Sequence, residues 1–183
     1  NKVIIITGSI MGIGKAISHR GVAEGAKVVV HGLEPERGEA VVEERGKVKV
    51  FLHIEDIANE GAAQRLVERA IQAYGRLDAV VNNAAAVISS DIHTTDLPLF
   101  RRVLEVNTLA PYALIRAALP HLAAARGCVL NIGSVNAWSG EPGLLAYSAS
   151  KGALMTLTRN LGDTLHRENG VRDSEHDPRD RGQ

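Results

Sequence analysis

Val3-Ile4-Ile5-Ile6-Thr7-Gly8-Ser9-Ile10-Met11-Gly12-Ile13-Gly14 lies almost at the start of the chain. An uninterrupted apolar, β-branched run enters a glycine-rich turn, and a helical pattern follows at about 13–24. A strand that is apolar throughout belongs in a sheet covered on both faces. Glycines suit the sharp strand-to-helix turn that comes next. They let the backbone approach a pyrophosphate and let the helix pack closely on the strand. The start of that helix then turns free N–H groups and a positive dipole end towards the phosphates. A plain tight turn would use the same residues. The place of this one, after the first strand of a βαβ unit, favours the phosphate reading.

The rest of the chain repeats the alternation. Strand-like runs recur at Val28–Val30, Val48–Leu52, Ala79–Val81 and Cys128–Ile132, separated by helical patterns at about 36–45, 59–74, 96–124 and 146–166. Apolar strands alternating with helices predict an α/β fold with a doubly wound, Rossmann-like parallel sheet over residues 1–171. From Arg172 to Gln183 the sequence has no apolar residue. Such a segment cannot offset its ordering entropy by burial, so 172–183 reads as a charged, disordered tail.

Composition narrows the function. The chain is 45% hydrophobic, and its 21 basic residues balance 21 acidic ones. That balance, with 3% aromatics, points away from nucleic acid and anionic membranes. No apolar run approaches the roughly 20 residues of a membrane helix. No leader and no metal-ligand cluster is read. The lone Cys128 excludes an internal disulfide and suits a reducing, cytoplasmic setting.

Chemistry gathers in the second half. Tyr147 and Lys151 are spaced to share one helix face in Tyr-Ser-Ala-Ser-Lys, where a neighbouring ammonium favours the phenolate. A phenol near its own pKa can give a proton to a carbonyl or take one from an alcohol. Ser134 follows the strand Cys128–Ile132, at the end where open α/β sheets place ligands. Asn107 lies in a long helix, and Pro111 has no N–H to give its carbonyl. The result is either an ordinary proline kink or a free carbonyl able to hold a water.

Taken together, these motifs resemble the short-chain dehydrogenase/reductase family, from the first strand to about residue 171. The resemblance implies NAD(P)-dependent hydride transfer between a cofactor and a small alcohol or ketone. Within it, Tyr147 is the general acid/base, Lys151 tunes it and holds the nicotinamide ribose, Ser134 orients the substrate oxygen, and Asn107 positions a relay water. It gives cofactor contacts to Thr7, Gly8, Ser9, Met11, Gly12, Ile13 and Gly14, and again to Tyr147 and Lys151. Asn82-Asn83-Ala84-Ala85 resembles the family's Asn-Asn-Ala-Gly, which adds Asn83, Ala84 and Ala85. Asp56-Ile57 matches an adenine-facing pair, with a helix cap the lesser alternative for Asp56. NAD and NADP both stay open. Gly32 carries no acid for the ribose, Leu33 and Met11 supply no arginine for a 2′-phosphate, and Glu34 could still repel one.

Family members continue beyond the Tyr-Lys helix with an apolar strand, a substrate-covering loop and a last strand. The charged segment from Arg172 therefore reads as a truncated member whose final strands are missing, with an exposed edge at Cys128–Ile132. The resemblance implies a homodimer or homotetramer through the long helices. The alternative is a catalytically silent NAD(P)-binding protein or relic. Val87–His93 and Val135–Ala146 are expected to border the substrate.

Overall fold

The computed structural model describes residues 2–46 and 49–176. Its chain order is β1 (Val3–Ile6), α1 (Gly12–Ala23), β2 (Lys27–Gly32), α2 (Pro35–Arg45), β3 (Val50–Ile54), α3 (Ala62–Tyr74) and β4 (Ala79–Asn82). It continues through α4 (Leu97–Leu104), α5 (Ala110–Ala125), β5 (Cys128–Ile132), the short α6 (Asn136–Ser139), α7 (Leu145–Asn169) and β6 (Arg172–His176). All pairings are parallel, in the order β3-β2-β1-β4-β5-β6. The expected doubly wound sheet is therefore present. Val48, the first residue of the expected third strand, lies outside the described residues.

Two-residue periodicity sorts the side chains onto two faces. Ile5, Val29, Val80 and Val129 pack with Leu66, Leu114 and Leu122 under α3 and α5. Ile6, Val28 and Val30 pack with Val22 and Val41 under α1 and α2. Each such buried side chain contributes about 1.5–3 kcal/mol of hydrophobic transfer. The reversal of strand order beside β1 opens a crevice at the carboxyl ends of the strands.

Two expectations are corrected. The helix expected at about 96–124 is interrupted by a π-helical turn at Glu105–Leu109. There the Ala110 N–H reaches back to the Glu105 carbonyl. Pro111 is the cause: it cannot donate, so the ladder slips by one residue. The second correction concerns Arg172–His176, read as the start of a disordered tail. It pairs residue for residue with β5, Cys128 with Arg172 through Ile132 with His176. The edge of β5 is covered, and the sheet has an outer strand that the sequence reading took as missing. Composition misled because a strand is held by its backbone, whatever its side chains. The chain is also steered there: Gly170 ends α7 in the left-handed region at φ 65°, and Val171 beyond it is fully buried against the α3/α5 core. The remaining tail residues, 177–183, lie outside the described set.

At the opposite end of the sheet, buried Asp78 ties two strands together. Its carboxylate accepts from the Val3 N–H at 2.9 Å, from Arg76 at 2.6 and 2.8 Å, and from Lys2 at 3.0 Å. Removing it strands a buried donor. Asp78→Ala should lower the unfolding free energy by about 2 kcal/mol in urea titration, whereas Arg76→Ala, which removes an exposed partner, should cost much less. Equal losses in the two variants would show that the Val3 contact contributes nothing.

Candidate functional site

Thr7 ends β1 and anchors the crevice. Its hydroxyl accepts the N–H groups of Asn83 and Ala84, each at 3.0 Å. The Asn83 amide donates to the carbonyls of Thr7 at 2.9 Å and Gly8 at 2.8 Å. Two motifs far apart in sequence thus become one wall. Gly8 is required where it stands. Its φ is +61°, and a Cβ there would lie 2.8 Å from the Ala84 Cα. The approach at Gly14 is closer still, 2.5 Å from the Asn83 amide nitrogen and the Gly8 carbonyl.

A cleft of about 430 Å³ opens above this turn. Of the residues singled out in the sequence, Gly8, Met11, Gly12, Ile13, Asp56, Ile57, Asn83, Ala84 and Ala85 line it. Thr7, Ser9 and Gly14 brace it from below: Thr7 and Ser9 are buried, and the Ser9 hydroxyl donates to the Ile6 carbonyl at 2.6 Å. Met11, the N-cap of α1, makes no side-chain cap bond, so the first-turn N–H groups stay available to an anion. Uncapped amides, glycines with no room for a Cβ and an apolar floor together fit a dinucleotide pyrophosphate and its adenosine. NAD and NADP both suit such a site, and nothing at Gly32 selects between them.

Asp56 is not a helix cap, since α3 begins only at Ala62. Its carboxylate accepts the Ala58 N–H at 3.0 Å in a local turn and pairs with Arg102 of α4. Burial pushes its pKa up, but the Ala58 N–H and the Arg102 guanidinium outweigh that and hold it below the usual aspartate range. Arg102 also lines the cleft, a residue the sequence reading missed.

The second group of residues lies outside the lining of that cleft. Asn107 is fully buried in the π-turn. Its side chain accepts the Ala86 N–H at 2.7 Å and donates to the Ala86 carbonyl at 3.0 Å and the Ser150 hydroxyl at 2.9 Å. Ser150 passes the tie to the Tyr147 carbonyl at 2.7 Å. Ala86 and Ser150 were not flagged in the sequence, because nothing local marks them. Lys151 is buried and donates to the carbonyl of Ile132, two residues before Ser134. Its ammonium is 5.9 Å from the centre of the Tyr147 ring. Ser134 is buried and accepts the Asn136 N–H at 3.2 Å. The loops expected to border a substrate do meet: Ser90 donates to the Gly143 carbonyl at 2.7 Å, and the Leu145 N–H donates to the Ser90 carbonyl at 3.1 Å. Val87, Ile92 and Trp138 stand exposed around them. No helix among the described residues is long and apolar enough to cross a membrane.

One further residue escaped notice although it stands at the end of β2. His31 is buried, and its ring stacks on His53 at 6.0 Å. Its Nδ1 accepts the Gly8 N–H at 3.3 Å. Burial, followed by the neighbouring His53, lowers its pKa from 6.5 to about 4.

The profile of the short chain dehydrogenase family matches residues 2–175. An uncharacterized oxidoreductase of Thermotoga maritima is 36% identical over 170 residues, which are 91% of this chain and 66% of that protein. The L-fucose dehydrogenase of Mus musculus is 38% identical over 161 residues, 87% of this chain and 58% of that protein. Among solved structures, an apo SCOR enzyme from Clostridium thermocellum superposes with a TM-score of 0.89 at 30% identity, covering 96% of this chain and 70% of that one. The chain spans less than two thirds of the length of either of these curated relatives.

The buried imidazole makes folding pH-dependent. The native ring stays neutral down to about pH 4, while an unfolded histidine protonates near 6.5. Its contribution is therefore complete above 6.5, declines as pH falls towards 4, and amounts to roughly 3 kcal/mol across that window. Urea unfolding at stepped pH should show the decline in the wild type and a flatter profile in His31→Asn. Parallel profiles would remove His31 as its source.

Proposed function

The chain belongs to the short-chain dehydrogenase family, and on that premise we propose that it is an NAD(P)-dependent oxidoreductase acting on a small alcohol or ketone. The observation that carries the reading is the pairing at the start of α7: the Lys151 ammonium lies against the Tyr147 ring while bonded to the Ile132 carbonyl beside Ser134. The pairing sets a phenol hydroxyl, able to exchange a proton with a bound oxygen, beside a fixed cation.

In this reading Tyr147 is the general acid/base, and Ser134 holds the reacting oxygen with its hydroxyl. Lys151 bonds the ribose nearest the reaction. Asn107 fixes the π-turn through Ala86 and Ser150 and leaves its main-chain carbonyl for a water that refills the proton relay. Gly8, Met11, Gly12, Ile13 and Gly14 hold the pyrophosphate, with Thr7 and Ser9 fixing the turn. Asp56 and Ile57 face the adenine, and the small Ala84 and Ala85 beside Asn83 leave room for the cofactor. The bound dinucleotide supplies the hydride donor or acceptor. The meeting of Ser90 with Leu144 supports a substrate mouth between those loops. The relative named for L-fucose puts hydroxylated carbonyl compounds among the first to screen. Exposed Leu109 and Tyr112 on and beside α5 support self-association as a dimer or tetramer, and the lone Cys128 supports a cytoplasmic setting.

Thermal unfolding should be followed alone, with NADH and with NADPH. A cofactor at about 100 times its dissociation constant adds roughly 2.7 kcal/mol, a rise of about 5–10 °C in a chain of this size. The cofactor that shifts the transition is then used in a carbonyl screen. Tyr147→Phe should keep that shift while turnover falls by about 10²–10⁴-fold. A transition that neither cofactor moves would refute the reading, and turnover surviving in Tyr147→Phe would refute the role of the tyrosine.

A further inference from the structure

A line of buried polar side chains crosses the sheet and has no part in the roles assigned above. The Asn82 amide at the end of β4 donates to the Asn131 side-chain oxygen on β5 at 2.7 Å. The Asn131 amide donates to the Thr158 hydroxyl on α7 at 2.9 Å, and that hydroxyl donates to the Leu154 carbonyl at 2.8 Å. All three side chains are buried. Asn131 shares its sheet face with Val129, in the core under α3 and α5, whereas Ile132 turns to the opposite face. A buried amide is costly unless its groups are bonded, so apolar side chains would fill these positions at less risk. What the polar bonds add is direction. The apolar contacts of α7, at Leu161 and Leu165, hold the helix to the sheet but discriminate weakly between neighbouring rotations and heights. A hydrogen bond tolerates only a narrow range of distance and angle.

The same face of α7 carries Lys151. Two helical turns separate it from Thr158, so the two side chains stand nearly in line along the helix. Lys151 donates to the carbonyl of Ile132, the residue next to Asn131 on β5. One short stretch of strand thus receives two polar bonds from one helix face. They hold the helix with different stiffness. A long lysine side chain fixes its own backbone loosely, whereas the Thr158 hydroxyl stands on a β-branched side chain that is stiff at χ1. The short tie therefore sets where the helix lies, and the placing of the ammonium follows from it. We propose that Thr158 is a positioning residue for Lys151: by accepting from Asn131 it fixes α7 against β5, so that the ammonium stays at the Ile132 carbonyl and beside the Tyr147 ring. The consequence for ligand binding rests on the cofactor reading above, in which Lys151 bonds a ribose; the tie itself does not.

Nitrogen-15 NMR of the lysine ammonium groups tests the tie in the wild type, Thr158→Val, Thr158→Ser and Leu161→Ala, with Lys151→Arg assigning the resonance. Valine keeps the shape and removes the hydroxyl, and serine keeps the hydroxyl. Leu161→Ala loosens the packing of α7 and leaves both polar bonds in place. In the wild type the Lys151 ammonium protons should resist exchange with water; free exchange there overturns the proposal without any variant, even where Thr158→Val does not fold. The protected resonance should be lost in Thr158→Val and kept in Thr158→Ser and Leu161→Ala. Its survival in Thr158→Val, or an equal loss in Leu161→Ala, overturns the proposal, since either result makes the threonine ordinary packing. Titration calorimetry reads the consequence, with ADP and with whichever of NADH and NADPH shifts thermal unfolding. Dinucleotide affinity should fall about 3- to 10-fold in Thr158→Val, the worth of one hydrogen bond, and recover in Thr158→Ser, with ADP affinity unchanged throughout. A lost resonance with unchanged dinucleotide affinity supports the tie and overturns the ribose contact of Lys151. A wild type that binds neither dinucleotide overturns the cofactor reading, while the resonance still decides the tie.

Discussion

The contact of the Gly8 backbone with Ala84 governs this molecule. A side chain on either strand end larger than those present would separate β1 from the segment after β4, because even one Cβ on Gly8 would stand 2.8 Å from the Ala84 Cα. Closeness there lets the Thr7 hydroxyl bond two successive N–H groups and lets Asn83 reach back to two carbonyls. With both strand ends fixed, the crevice beside β1 has a rigid rim, and the start of α1 is aimed along it. The rigidity comes from backbone and short polar groups, so little rotamer entropy is lost when a ligand arrives.

The other half of the crevice is organised by a missing donor. Pro111 deprives the helix of one N–H, the ladder slips into a π-turn, and Asn107 is turned so that its amide can bond Ala86 on one side and Ser150 on the other. Those two bonds join the segment after β4 to the first turns of α7. The Thr108 hydroxyl adds a third tie, to the Ser150 carbonyl at 3.1 Å. Helix α7 therefore cannot move relative to the sheet edge without breaking buried polar bonds, which is costly in a low-dielectric interior. Lys151, on that helix, reaches the Ile132 carbonyl because its base is held in place.

The strands with β-branched, two-faced apolar runs were readable from sequence, since periodicity and burial act locally. A disturbance at Asn107 was readable too, because a proline's missing N–H is a covalent fact, but its form as a π-turn was not. Strand β6 was not readable. Nothing in Arg172–His176 favours a strand by itself; the pairing comes from the open edge of β5 and from Val171, whose buried position is fixed by contacts distant in sequence. Ser150 and Ala86 were invisible for a related reason: a serine within a helix and an alanine in a loop acquire meaning only when Asn107 folds against both. His31 was legible as a strand end and no more, because its role depends on which neighbour meets each ring nitrogen.

The nucleotide end of the crevice shows why the choice between NAD and NADP does not follow from reading Gly32 alone. A side chain at that position would force Ile10 to shift, and Ile10 is itself buried and packed with Val28, Val30 and Val41. Gly32 and Ile10 are therefore one steric unit. An acid there would have to displace the Ile10 side chain, and shrinking Ile10 to make room would open a void beside three core valines, at about 2 kcal/mol or more for a change to alanine. Charge at this end is instead supplied in neutralised pairs. Glu34 is held by Arg37 at 2.9 Å, and Asp56 by Arg102. Paired charges project a weak field at this end of the cleft.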